Sequence, residues 1–230
     1  SSSVATGIYN PVVLKRFTAI NRAQELMDYS IPFYARNVHA NLLHNMPIHR
    51  VFATAAEQNK WAEASDKPAL RAYLHDAVLA NGLPYIKAPN GLGEMQQTGW
   101  VNTMQLLTNA HQRLTQDGFF VSENFDYASL VIKDDGVQYK EWRATQIIFA
   151  EGVGVKHNPW FSELPVIPNK AEWLVVLCKG LQLKHIIKGS VFIVPLGNDT
   201  YRIGATYARV FEDLNPTAQN KAWLVAQFKK

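Results

Sequence analysis

A chain of 230 residues with 47% hydrophobic and 18% charged positions has the apolar content for one large core or two small ones, which excludes a disordered tract. Its net charge of +4 is mild, and apart from Lys15-Arg16 and Lys229-Lys230 the cations are scattered, which reads as solubility rather than a nucleic-acid surface. The single cysteine, Cys178, excludes an internal disulfide and fits a reducing, cytoplasmic compartment; no apolar run approaches the ~20 residues of a membrane span, so no membrane partner is expected.

Residues 1–13 are small and loop-like, punctuated by Gly7 and Pro11. From Thr18 to His44 the pattern is mainly helical, with Leu26, Tyr29, Phe33 and Val38 near helical spacing and Pro32 marking a break or kink. Pro47 opens a strand from Ile48 to Ala53, and Ala55 to Leu79 reads as short helices around Pro68. Asn81 to Gly93 reads as loop, and Gln96 to Val101 as a strand. Thr103 to Gln116 is a clear helix: Met104, Leu107, Ala110 and Leu114 share one face, and Asp117-Gly118 ends it.

Phe119 to Ser122 is expected as a strand. A hairpin follows, with Lys133-Asp134-Asp135-Gly136 joining Ser129–Ile132 to Val137–Tyr139. Gln146 to Ala150 is a continuous apolar run, expected as a buried strand. Pro159 to Pro168 is a connection. Trp173–Leu177, Ser190–Leu196 and Thr200–Thr206 read as strands, and Pro216 starts a last helix to about Phe228. Thr103 to Gly152 thus looks like an α/β segment and Pro168 to Tyr207 like an antiparallel one, which implies two interleaved lobes.

Ala144-Thr-Gln-Ile-Ile-Phe-Ala-Glu-Gly152 is the most telling stretch. An apolar run ends in a small residue, an acid and a glycine, and ligands of open α/β sheets bind at such strand ends. Three further segments stand in a familiar order around it: Ser2-Ser3-Val4-Ala5-Thr6-Gly7-Ile8; Gly99-Trp100-Val101-Asn102 with the helix after it; and Pro168-Asn169-Lys170-Ala171-Glu172 running into the strands that end in Ile203-Gly204-Ala205-Thr206-Tyr207. Together these resemble the flavin-dependent amine and amino-acid oxidases of the D-amino-acid oxidase and glycine oxidase type. Ala171 departs from the family's usual glycine, and Thr6 from its frequent alanine.

The resemblance implies an α/β (α+β) fold: a partial FAD-binding α/β lobe, 1–47 and 103–158, interleaved with an antiparallel-sheet substrate lobe, 48–102 and 159–230. It implies FAD contacts from Ser2, Ser3, Ala5, Thr6, Gly7 and Ile8, where short side chains let backbone N–H groups approach phosphate oxygens. It also implies contacts from Tyr127 beside adenine and from Ala150, Glu151 and Gly152. Trp173, Phe192 and Tyr207 are the expected substrate-lining residues, although core packing accounts for such aromatics as readily.

No complete Gly-x-Gly-x-x-Gly occurs: Gly91-Leu92-Gly93 and Gly152-Val153-Gly154 have Gln96 and His157 in the third position. The family's C-terminal segment, with its carboxylate-holding arginine, would follow Lys230. The chain is therefore expected to be a central fragment, without bound flavin and inactive by itself.

No residue is assigned as catalytic. His44 and His49 are poorly spaced for a metal, so none is expected. Cys178 has no placed histidine partner. Hydride transfer to flavin needs no acid-base pair from the protein. The favoured reading is an oxidoreductase acting on a small amine or amino acid. The alternatives are a non-catalytic binding module that keeps the fold, and, through the same resemblance, an FAD oxidase acting on a transfer-RNA wobble uridine.

Overall fold

Residues 2–37 and 42–230 are described in a computed structural model, and their mixture of helices with mixed and antiparallel sheets is the class expected. The strands are β1 (Ile8–Tyr9), β2 (Val12–Val13), β3 (Thr18–Ala19), β4 (Leu43–Asn45), β5 (Ile48–Val51), β6 (Leu92–Met95), β7 (Gly99–Val101), β8 (Leu130–Lys133), β9 (Gly136–Tyr139), β10 (Trp142–Ala144), β11 (Trp173–Leu177), β12 (Ile186–Lys188), β13 (Phe192–Gly197) and β14 (Thr200–Gly204). The helices are α1 (Ala23–Asn37), α2 (Ala55–Ser65), α3 (Thr103–Gln116) and α4 (Ala218–Phe228). Packing separates a larger unit (Ser1–Arg113, Ala171–Thr206, Asn215–Lys230) from a smaller one (Leu114–Lys170, Tyr207–Leu214).

A six-stranded sheet in the order β11-β14-β13-β12-β5-β6 organises the larger unit, antiparallel except for the β12–β5 pair. Alternation along the strands gives it two faces. On one face Ile48, Met95, Ile186 and Val194 pack with Phe52, Trp61, Leu70 and Tyr73. On the other, Ile187, Ile193, Tyr201 and Ile203 pack with Leu224 and Phe228 of α4.

The helices are capped by their sequence. The Thr54 hydroxyl accepts from the Glu57 N–H and opens α2, and Thr217 does the same for Asn220 at α4. Glu172 fixes the start of α4 further, accepting from the Thr217 N–H at 2.8 Å and the Asn220 amide at 2.7 Å. Trp61 of α2 is fully buried and donates to the His75 carbonyl at 2.9 Å. Gly93 makes that packing possible, because a Cβ there would stand 2.5 Å from the Trp61 ring. A second sheet, β1-β7-β4, pairs Ile8 with Trp100 and Leu43 with Val101.

Helix α1 is shorter than the helical pattern of residues 18–44, and Pro32 lies inside it without ending it. Val38, expected on its face, falls outside the described residues. Strands β6 and β12 were not anticipated: the first is glycine-containing and the second is three residues long.

In the smaller unit β8, β9 and β10 form an antiparallel sheet, with the expected hairpin closing at Lys133–Gly136. Two expected strands are absent. Phe119–Ser122 and Gln146–Ala150 carry no sheet pairing, and Ile148 is 86% exposed. The physical reason is that a strand requires a neighbour to take its N–H and C=O groups, and no described strand runs beside either segment. Phe149 instead enters an aromatic cluster, with ring centroids 5.8 Å from Phe125 and Trp160 and 5.9 Å from Phe161.

Candidate functional site

In the larger unit, Ser2–Val4 forms one 3-10 turn, closed by the Ala5 N–H donating to the Ser2 carbonyl at 3.2 Å. Ser2, Ser3 and Ala5 are exposed and Thr6 is buried. The Gly7 carbonyl accepts from the Val101 N–H at 3.0 Å. Gly7 has φ +70°, and a Cβ there would stand 2.1 Å from the Val101 oxygen, so no other residue fits. Ile8 then enters β1. The Ala5 carbonyl is held twice, by the Thr103 hydroxyl at 2.9 Å and by Arg202 Nη1 at 3.1 Å. A loop chosen for its short side chains is thereby tied to strand β14.

Arg202 belongs to the same sheet face as the two expected aromatics. Trp173 and Phe192 stand in register with Gly204 from opposite sides, and Arg202 pairs with Val175 and Val194 one step along. A Cβ on Gly204 would lie 2.4 Å from the Trp173 ring, so the indole rests on the glycine. Lys188 opposes Phe192 from β12 and sets its ammonium 4.6 Å from that ring centroid. Burial, with the neighbouring charge of Arg50, pushes the Lys188 ammonium down to about 8, and burial also lowers Arg202. Tyr207 is the exception among the expected substrate residues: it falls in the smaller unit and is exposed.

The smaller unit gathers the remaining expected residues. Tyr127 donates its hydroxyl to the Glu151 carboxylate, which raises the phenol above its usual range. Fully buried Asn158 donates to the same carboxylate at 2.9 Å and accepts from the Trp160 N–H at 2.9 Å. Ala150 is exposed. Gly152 has φ +58° and opens a 3-10 turn, with nothing within 4 Å of where its Cβ would be. The glycine is therefore required by backbone conformation and not by protein packing.

Sequence reasoning missed Arg202, Lys188 and Asn158. A signal for Arg202 was present, since it is a lone cation between Tyr201 and Ile203 in an otherwise uncharged strand. The larger unit also holds a cleft of about 620 Å³ whose walls include Tyr9, Met27, Asp28, Met46, Glu94 and Gln97. Burial pushes Glu94 up, but hydrogen bonds from Gln96 and His49 and nearby histidine charge outweigh it and leave the carboxyl below its usual value. Burial raises the Tyr9 phenol to about 12. Among the described residues no group of three or more His, Cys, Asp or Glu is placed to hold a metal ion, and no helix is long and apolar enough to cross a membrane.

No protein-family model matches the sequence. Solved structures do match in fold. Glycine oxidase from Geobacillus kaustophilus superposes with a TM-score of 0.75 at 15% identity, over 98% of this chain and 66% of that one. Glycine oxidase from Bacillus cereus ATCC 14579 gives 0.72 at 17% identity, over 98% and 66%. Iminodiacetate oxidase from Chelativorans sp. BNC1 gives 0.66 at 14%, over 99% and 68%. The chain has the fold of these oxidases, as its motifs led us to expect. It spans 66% of the length of either glycine oxidase.

Proposed function

We propose that this chain is part of an FAD-dependent oxidoreductase that, when intact, oxidises a small amine or amino acid. The observation that carries the reading is the tie between the Ser2–Ile8 loop and the Trp173/Phe192 face through the Ala5 carbonyl and Arg202. The fold likeness supports it only by analogy, because one fold hosts many functions.

The residues present fit a flavin. Ser2, Ser3 and Ala5 offer short, exposed side chains along one strip, and Gly7 holds that strip against Val101. Gly152 leaves open space beside Glu151, whose carboxylate is already fixed by Tyr127 and Asn158. FAD supplies the hydride acceptor when bound. The chain's own part is binding and orientation. Ser2, Ser3, Ala5, Thr6, Gly7 and Ile8 form one proposed cofactor strip, and Tyr127, Ala150, Glu151 and Gly152 the other. In the larger unit Trp173 and Phe192 are the proposed apolar substrate-lining residues, which exclude water from the reacting carbon, and Tyr207 of the smaller unit is proposed separately as a third. Functionally we assign 1–47 and 103–158 to the cofactor lobe, and 48–102 and 159–230 to the substrate lobe.

The test is to mix the flavin-loaded intact protein, without oxygen, with glycine, sarcosine, proline, several D-amino acids and an aminomethyl-uridine. Bleaching of the flavin band by one of these is expected. If only a 2-hydroxy acid or a reduced nicotinamide bleaches it, the amine assignment fails.

A further inference from the structure

The cleft of about 620 Å³ in the larger unit has one wall from helix α1, through Met27, Asp28, Ile31 and Pro32, and another from the strand segments around Pro47 and Glu94. Its size is that of a small-molecule site. None of the proposed cofactor or substrate residues lines it. Tyr9 does, whereas its neighbour in β1, Ile8, packs against the core cluster that holds Trp100. Successive strand residues face opposite ways, so the cleft lies behind the proposed cofactor strip and not on it.

The lining narrows the ligand. Its charged residues are both acids, Asp28 on the helix wall and Glu94 on the strand wall, in a protein of net charge +4. The neutral polar groups agree. Tyr9 gives its only O–H to Asn45, Gln96 gives an amide N–H to Glu94 at 3.1 Å, and Gln97 gives one to the Ala72 carbonyl at 3.4 Å. Donors are thus spent on the protein, and acceptor oxygen is most of what the lining has left. Both acids are held in place and keep lone pairs to offer: Asp28 accepts from the Gln24 amide at 2.8 Å, and Glu94 meets His49 Nε2 at 3.2 Å. Such a lining suits a ligand with charged N–H donors. Met27, Ile31, Met46 and Pro47 supply apolar wall, and the flexible thioethers adapt to an unbranched chain.

We propose that this cleft is a second ligand site, for an unbranched aliphatic diamine, with one ammonium paired to Asp28, the other to Glu94, and the methylene chain against Met27 and Met46. A monoamine satisfies one carboxylate only, and a carboxylate ligand meets like charge. The site is separate from the cofactor and substrate faces and does not depend on the oxidase reading.

Titration calorimetry of the 230-residue protein at neutral pH and low salt compares 1,5-diaminopentane, pentylamine and pentanoate, which share a chain and differ in charge. The diamine is expected to bind, pentylamine to bind several-fold more weakly, and pentanoate not to bind. Glu94→Gln should weaken the diamine by roughly tenfold and Asp28→Asn by roughly threefold or more. Asp28 is exposed, so its variant keeps the test decisive if loss of the Glu94–His49 contact disturbs folding. Methyl NMR locates the ligand: Met27 and Met46 line the cleft and Met104 lies on α3, so the diamine should shift the first two resonances and leave the third. Diamine binding undiminished by Asp28→Asn overturns the proposal. So does a parent protein that binds no diamine, or that binds pentylamine or pentanoate as tightly. Binding that spares Met27 and Met46, or that is lost on Trp173→Ala but not on Asp28→Asn, puts the amine elsewhere and overturns it too.

Discussion

Trp61, Phe52, Ile48 and Ile186 of the larger unit are sealed from solvent, whereas among the described residues of the smaller unit Leu130 is the one apolar side chain with less than a tenth of its surface exposed. Both units draw on similar apolar stretches. The larger one gives each strand a partner and packs α2 over the β5, β12 and β13 part of one sheet face and α4 on the other face. The smaller one relies on a hairpin sheet and a cluster of rings around Phe149, held by the buried Asn158. Apolar content therefore does not decide where a core forms. A second layer over the sheet does: β8, β9 and β10 are paired, yet Val131, Ile132 and Trp142 are exposed.

The largest effect should come from breaking the better-packed side. Trp61→Ala removes a fully buried indole and its bond to the His75 carbonyl, and should cost about 3–5 kcal/mol by urea denaturation. The loss should appear first in the larger unit, read by protection of the β5 and β6 amides from hydrogen exchange. A cost below about 1 kcal/mol would mean that α2 does not hold this face.

Gly152→Val probes the other side. Space around the glycine is open, so the protein's own cost is the left-handed backbone at φ +58°, about 1–2 kcal/mol. In the intact protein the same change should abolish flavin retention, since the branched side chain would occupy the approach to the proposed cofactor strip. Flavin content measured beside thermal stability separates the two effects, and parental flavin occupancy would remove Gly152 from the site.

The boundaries that were legible in the sequence are those set by local chemistry. Helix α3 was read at Thr103–Gln116 from its apolar spacing and Asp117-Gly118, and β11 at Trp173–Leu177 from its run. The Lys133–Gly136 turn announced the β8–β9 hairpin. What was not legible depended on partners far along the chain. Strand β12 has three residues and exists because β5 and β13 flank it. Gln146–Ala150 had the composition of a buried strand and no neighbour to pair with. At the candidate site the motif residues were visible one by one, but the link from Ala5 to Arg202 spans 197 positions and no spacing rule reaches it.

Lys188 offers a smaller, pH-dependent effect. Its ammonium is held at about 8 in the folded protein against 10.5 ordinarily, by burial and by Arg50, with Glu57 opposing. Below pH 8 both states keep the proton and the folded state bears the full penalty. Between about 8 and 10.5 the unfolded chain binds more protons, so this group's contribution to stability rises with pH. Lys188→Met should gain stability relative to the parent at pH 7, and that gain should shrink to its floor by pH 10.5. The measurement is the difference in urea midpoints across that window. A difference that is flat with pH would mean the ammonium is as well solvated folded as unfolded.

The smallest expected effect tests the correction at Gln146–Ala150. Ile148 is 86% exposed and belongs to no strand, so Ile148→Ser should change stability by no more than about 0.5 kcal/mol. Were the segment a buried strand, losing the same side chain would cost about 2–5 kcal/mol, and the two outcomes do not overlap. Phe149→Ser is the matched control one residue on, because its ring touches Phe125, Trp160 and Phe161. Alternating sensitivity, with 149 strong and 148 weak, fits an irregular segment that turns one side chain into the aromatic cluster. Equal and large losses at both would restore the strand and require a pairing partner for it.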